Sequence, residues 1–179
     1  VEVLMGGGLI LYPTDTIWGI GCDARNEAAV KKVYASKQRN DSKALIVLVN
    51  GKSMLEQYTG PLSDAQWKLV IGHPKPVTGV YPCHGGLADA LLASDGTVGM
   101  RIPRDPFCLE LITSFGHPIV STSANISGAL FDGTYAGIDA SIVAASDYVV
   151  HYRRADLTRR EPSSVVRWLS DGTTEFLRN

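Results

Sequence analysis

Cations and hydroxyls able to hold an anion recur along this chain in short clusters. Thr14, Asp15 and Thr16 follow an apolar run, Leu9-Ile10-Leu11-Tyr12, that stops at Pro13. Lys37, Arg39 and Lys43 fall within seven residues. Arg101 is embedded in the apolar stretch Val98-Gly99-Met100-Arg101-Ile102. Ser121, Thr122, Ser123 and Asn125 follow Ile119-Val120, and Ser163-Ser164 precede Val165-Val166. Taken singly, each has an ordinary explanation. A charge run is usually a solvated loop, hydroxyls at a strand end make capping turns, and an arginine inside a strand can be half of a structural salt bridge. Taken together they suit anion binding. The Arg39 fork matches a phosphate or carboxylate, and a charge at Arg101 is costly unless a carboxylate or a bound anion answers it.

Other chemistries lack their residues. There is no G-x-x-x-x-G-K-[ST] phosphate loop and no G-x-S-x-G elbow. His73, His84, His117 and His151 stand apart, without metal-ligand spacing. Gly19-Ile20-Gly21-Cys22-Asp23-Ala24 spells the dinucleotide fingerprint, but that motif needs a strand running into its first glycine and a helix opening inside it. Here Pro13 and the polar cluster intervene, and the next helix begins near Asn26. Nucleophilic catalysis by the protein is disfavoured, and positioning of anionic substrates by cations and hydroxyls is favoured.

The elements that must position these groups alternate in type. The run before Pro13 reads as a buried strand delivering Thr14–Thr16 to its carboxyl end, where open α/β sheets bind ligands. A helix capped by Asn26 repeats Val30, Val33 and Tyr34, and Ala44–Val49 reads as a buried strand. Helices are expected over Lys52–Tyr58, from a Ser63 cap through Ile71, over Pro106–Phe115 with Gly116 past its end, and around Ala140–Ala145. Strands are expected over Val77–Tyr81, Val98–Pro103, from Ile119 into its hydroxyl cluster, over Tyr148–His151, Ser164–Leu169 and Thr174–Leu177. The last two are joined by the hairpin signal Ser170-Asp171-Gly172-Thr173. This order predicts an α/β or α+β domain with a mixed sheet.

Bulk properties set limits. The 179 residues fit one domain, with 45% hydrophobic and 20% charged residues. A net charge of −1 gives no global case for nucleic acid or a membrane surface. Three scattered cysteines are compatible with a reducing cytosol, and no apolar run approaches a membrane span. The sequence begins at Val1 with what reads as a helix tail before Gly6-Gly7-Gly8, so residues upstream are expected.

In order, YPTDTIWGIGCDA, KQR followed by KALIVLV, VGMRIP, IVSTSANISG and PSSVV resemble the YrdC-type threonylcarbamoyl-AMP synthase family, over nearly the whole chain. The family's K-x-R mark is matched by Lys37 and Arg39, and its S-x-N mark by Ser123 and Asn125. The resemblance implies a single YrdC-like domain over 1–179, a twisted mixed sheet flanked by helices around a large cationic cavity. It implies condensation of L-threonine, bicarbonate or CO2 and ATP to threonylcarbamoyl-AMP and pyrophosphate, with Mg2+ on the phosphates. A downstream transferase complex then modifies tRNA. Carried over by motif, Thr16, Arg101, Ser121 and Ser163 would face threonine. Arg39, Lys43, Thr97, Ser123, Asn125 and Arg178 would face ATP, and Lys37 with Arg39 would act in catalysis. Two alternatives share the fold: a module contacting tRNA or double-stranded RNA without adenylation, and a regulatory or carbamoyl-transfer relative. Lys75 of Pro74-Lys75-Pro76 stands where many relatives have glycine, Ala44 and Arg167 where they often have proline and aspartate. The sequence also ends soon after Arg178, so the second domain of some longer members is not expected here.

Overall fold

A computed structural model describes residues 1–38, 45–169 and 173–179. Arg39 and Lys43, and residues 170–172 of the expected hairpin, lie outside the described residues.

The chain runs α1 (Glu2–Met5), β1 (Ile10–Tyr12), β2 (Gly19–Gly21), α2 (Glu27–Ser36), β3 (Ile46–Leu48), α3 (Lys52–Thr59), α4 (Asp64–Gly72), β4 (Val77–Pro82), β5 (Thr97–Arg101), α5 (Pro106–Phe115), β6 (Ile119–Ser123), α6 (Ala140–Ala144), β7 (Tyr148–Val149), β8 (Ser164–Trp168) and β9 (Thr174–Arg178). The helices start where their caps place them. Asn26 accepts from the Ala29 amide, Ser63 and Gln66 close a reciprocal capping box, and Asp105 accepts from the Cys108 amide ahead of Pro106. Gly116 ends α5 in the left-handed region at φ 76°.

The strands form one mixed sheet in the order β7-β1-β2-β6-β3-β5-β4-β8-β9. Two expectations change here. Gly19-Ile20-Gly21 is itself a strand, antiparallel to both β1 and β6. The Thr14–Thr16 cluster is therefore the bend between two antiparallel strands, not the loose carboxyl end of an open-sheet strand. Likewise Ser121 and Ser123 lie within β6 rather than beyond it.

Register explains which side chains meet. Ser123 stands opposite Gly19, Ser121 opposite Ile46, and Ile46 opposite Gly99. One step along, Arg101 faces Leu48 and Thr78, Thr78 faces Val165, and Val165 faces Arg178. Directly paired residues share a sheet face, so these groups line one side. The alternate residues, Ile20, Val47, Val98, Met100 and Val120, point the other way into the main core with Val30 and Val33 of α2 and Leu55 of α3. On the first face, Leu4 of α1 and Cys108, Ile112 and Phe115 of α5 cover Ile10, Tyr12, Leu48 and Ile119. Beyond the reach of α5 that face is left open among the described residues, and there the polar residues gather.

Candidate functional site

The uncovered stretch is a cleft of about 200 Å3 whose lining includes Thr16, Arg101, Ser121, Ser123, Ser163 and Arg178, with Gly19 and Ile46 between them. Its best-defined element is the bend after Pro13. Thr14 Oγ1 donates to the Ile17 carbonyl at 2.8 Å, accepts from the Thr16 amide at 3.1 Å and lies 2.9 Å from Thr16 Oγ1. The bend thus closes on its own hydroxyl and presents Thr16 inward.

Arg101 is only 4% exposed, and Asp15 answers its charge. Arg101 Nη1 donates to Asp15 Oδ1 at 2.9 Å and to Thr16 Oγ1 at 3.2 Å. The second Asp15 oxygen accepts from the Arg104 amide at 2.9 Å. Both carboxylate oxygens are therefore committed to orienting the bend and Arg101. Arg101 Nε is buried without a hydrogen-bond partner, a group with remaining capacity beside the cleft.

The opposite wall is built around Ser163, which precedes β8. Its hydroxyl is 2.8 Å from Thr78 Oγ1, and Arg178 donates to its carbonyl at 2.9 Å and to its hydroxyl at 3.3 Å. Burial, and then the nearby charge of Arg101, push the Arg178 guanidinium below its ordinary value. Two guanidinium groups facing one cleft repel each other until an anion lies between them.

The buried thiols are not poised as nucleophiles. Burial raises both Cys22 and Cys108 well above the ordinary thiol range. The Tyr12 phenol is raised in the same way, and its hydroxyl donates to the Val120 carbonyl at 3.2 Å.

Six of the residues singled out from sequence, Thr16, Arg101, Ser121, Ser123, Ser163 and Arg178, meet in this cleft. Three are placed differently. Lys37 is 1% exposed and donates to the Ser123 carbonyl and, at 2.6 Å, to the Asn125 carbonyl. It braces the S-x-N loop from behind. Asn125 closes that loop itself, its Nδ2 donating to the Ile126 and Ala129 carbonyls at 3.0 and 2.9 Å. Thr97 shares the sheet face of Arg101 but lies four residues along the strand, roughly 13 Å away at the usual rise. There its hydroxyl donates to Asp95 at 2.6 Å, and it lines a separate groove with Arg167 and Trp168. Sequence reasoning left Asp15 without a role and overlooked Arg153 and Asp105. No motif marks that pair, since they come together only across the fold.

Among the described residues no helix is long and apolar enough to cross a membrane. The Sua5/YciO/YrdC family model, described as telomere recombination, matches residues 2–179. The threonylcarbamoyl-AMP synthase of Nitrosococcus oceani is 32% identical over 150 residues, which is 83% of this chain and 81% of the relative. That of Xanthomonas campestris pv. campestris is 31% identical over 165 residues, 90% of this chain and 88% of the relative. Among solved structures, P. abyssi Sua5 complexed with L-threonine superposes with a TM-score of 0.85 at 23% identity. That match takes in 99% of this chain and 52% of the other, so the chain spans about half the length of that Sua5. The strand register that builds the cleft therefore sits in a fold with solved counterparts, and with a family model matched from residue 2 to the last residue the chain belongs to the Sua5/YciO/YrdC family.

Proposed function

We propose that the chain is an L-threonylcarbamoyladenylate synthase, a nucleotidyltransferase condensing L-threonine, bicarbonate or CO2, and ATP. The observation that carries this reading is the convergence of Arg101 and Arg178 with the hydroxyls of Thr16, Ser121 and Ser163 in one cleft. A cleft of about 200 Å3 lies below the roughly 300–1,000 Å3 of pockets for drug-sized ligands, and suits a small amino acid. Support also comes from the relatives named threonylcarbamoyl-AMP synthase and from the Sua5 complex with L-threonine.

In this reading the threonine carboxylate lies between the two guanidiniums, and the hydroxyls orient its amine and side chain. The amine, freed of a proton, attacks CO2 to give a carbamate. A carbamate oxygen then attacks the α-phosphorus of ATP, forming one O–P bond as the bond to pyrophosphate breaks. Carboxylate, carbamate and triphosphate converge in that step, and fixed cations lower their repulsion. Ser123 and Asn125, held by Lys37, form the nucleotide side, with Arg39 and Lys43 on the phosphates.

Magnesium on the phosphates needs no protein cage. Among the described residues no group of three or more His, Cys, Asp or Glu side chains could hold a metal, and Asp15 is already committed to Arg101 and Arg104. The ion would arrive on the triphosphate. The product, a mixed anhydride, passes to a transferase complex acting on tRNA.

The test is incubation with ATP, labelled bicarbonate and each amino acid, reading pyrophosphate and the adenylate. Threonine-dependent pyrophosphate is expected, and its absence at neutral pH with magnesium overturns the reading. Arg39→Ala should slow ATP use by one to several orders of magnitude, on the order of 2–4 kcal/mol for a lost transition-state donor. An unchanged rate would remove Arg39 from the nucleotide site.

A further inference from the structure

The bend that carries Thr16 into the cleft is held from outside, and the residue that reaches furthest to hold it is Arg153. Its Nη2 donates to the Thr14 carbonyl at 3.1 Å and pairs with Asp105 Oδ2 at 3.0 Å. The Arg153 side chain is 16% exposed, and its Nε is buried without a partner. Its backbone sits at φ 58°, in the left-handed region that L residues enter only under strain. A strained, largely buried arginine with an unsatisfied nitrogen is a poor device for stability alone. Such strain persists where the surroundings enforce it, and it clusters at functional sites.

Its partners show what it fixes. Asp105 uses its other oxygen to cap α5 through the Cys108 amide, and Cys108 Sγ donates to the Pro13 carbonyl at 3.4 Å. The Arg104 amide holds Asp15. The head of α5 thus takes Pro13 and Asp15, and Arg153 adds the Thr14 carbonyl between them. Arg153 also lies ten residues before Ser163 on a connecting segment with a turn at 152–155 and no helix or strand. It ties the start of that segment to the Thr16 wall of the cleft, while the segment's end forms the opposite wall.

We propose that Arg153 is a positioning residue for the amino-acid half of the site: it locks the Thr14–Thr16 bend against the head of α5 and so sets Thr16 relative to Arg101 and Ser163. This rests on the reading of the cleft as a threonine site.

Arg153→Gly tests it, because glycine accepts the left-handed backbone while losing the guanidinium. We expect the KM for threonine to rise about tenfold or more, the scale of a lost charged hydrogen bond, with kcat within about twofold. Amide hydrogen exchange over residues 14–18 should quicken, the melting temperature should fall because Asp105 loses its partner, and Arg153→Lys should restore part of the KM. A lowered melting temperature with unchanged KM and unchanged exchange at 14–18 overturns the proposal and leaves Arg153 a structural residue. The exchange measurement needs no turnover. If the unsubstituted protein forms no threonine-dependent pyrophosphate, the synthase reading falls, while quickened or unchanged exchange still decides whether Arg153 holds the bend.

Discussion

Removing Asp15 isolates a buried charge. Arg101 and Asp15 have side chains 4% and 9% exposed and are joined at 2.9 Å. Deleting one member of such a pair typically costs about 3–5 kcal/mol, because the other is left uncompensated. Asp15→Ala should therefore lower stability by about 3 kcal/mol or more in urea unfolding, and a loss under about 1 kcal/mol would show that water reaches Arg101. Lys37 makes the complementary case. Lys37→Met keeps the length of the side chain but leaves the Ser123 and Asn125 carbonyls without their buried donor, at roughly 1–3 kcal/mol for each group not otherwise satisfied. If Lys37 shapes the S-x-N loop, this variant should weaken ATP use while threonine affinity stays near normal; equal loss of both would assign it to the whole site. At this scale the sequence was readable in part. An arginine inside an apolar strand announces that it needs an anion, but the anion it has is 86 positions away, and only strand register brings the two together. Lys37 misled because a lysine before a polar loop looks solvated, and burial depends on the loop it ends up under.

Elements with strong local signals were legible before the fold was known. The caps at Asn26 and Ser63 and the proline and glycine bracketing α5 place those helices to within a residue or two. The three-residue strand Gly19–Gly21 was not, because glycines carry little strand preference and the segment is set by its neighbours. Its glycines are there for close approach. A Cβ at Gly21 would lie 2.0 Å from the Val120 carbonyl oxygen, a backbone atom that cannot step aside, whereas one at Gly99 would meet Thr78 Cγ2 at 3.4 Å and Ile46 Cγ1 at 4.0 Å. Gly21→Ala should thus cost about 3 kcal/mol or more as forced overpacking, and Gly99→Ala should leave the melting temperature nearly unchanged. Equal effects would mean that β2 and β6 can separate without loss. The Lys75 loop also gains an account. Its ammonium pairs with Glu161 at 2.7 Å, and the Arg104 guanidinium donates to the His73 and Pro74 carbonyls, so the charge fastens the loop beside the cleft.

Among the described residues one local device is repeated, and it contributes to how the protein responds to acid. Asp95, Asp132, Asp139 and Asp156 each accept both the amide and the hydroxyl of the Thr or Ser two residues on. The pattern Asp-x-Ser/Thr is a turn signal visible in the sequence, and its use four times among the described residues places a carboxylate at the mouth of β5, before Thr134, at the head of α6 and in the segment leading to Ser163. Hydrogen bonds from the paired Thr or Ser hold all four carboxyls below their usual range, and those from the Ala90 amide and from Lys75 do the same for Glu27 and Glu161. The sign follows from linkage: where the folded value is the lower one, the unfolded chain binds more protons as pH falls, so stability rises with pH. The contribution is fully present above the ordinary carboxylate range near about 4 and is lost as pH drops through the depressed folded values. The urea midpoint should therefore hold steady from neutral pH down to about 5 and then decline continuously. Replacing the four aspartates by asparagine should flatten that decline, because asparagine keeps an acceptor oxygen and does not titrate. A midpoint that falls just as steeply in the asparagine variant would move the acid sensitivity elsewhere, first to Glu27 and Glu161, the other carboxyls that hydrogen bonds hold low.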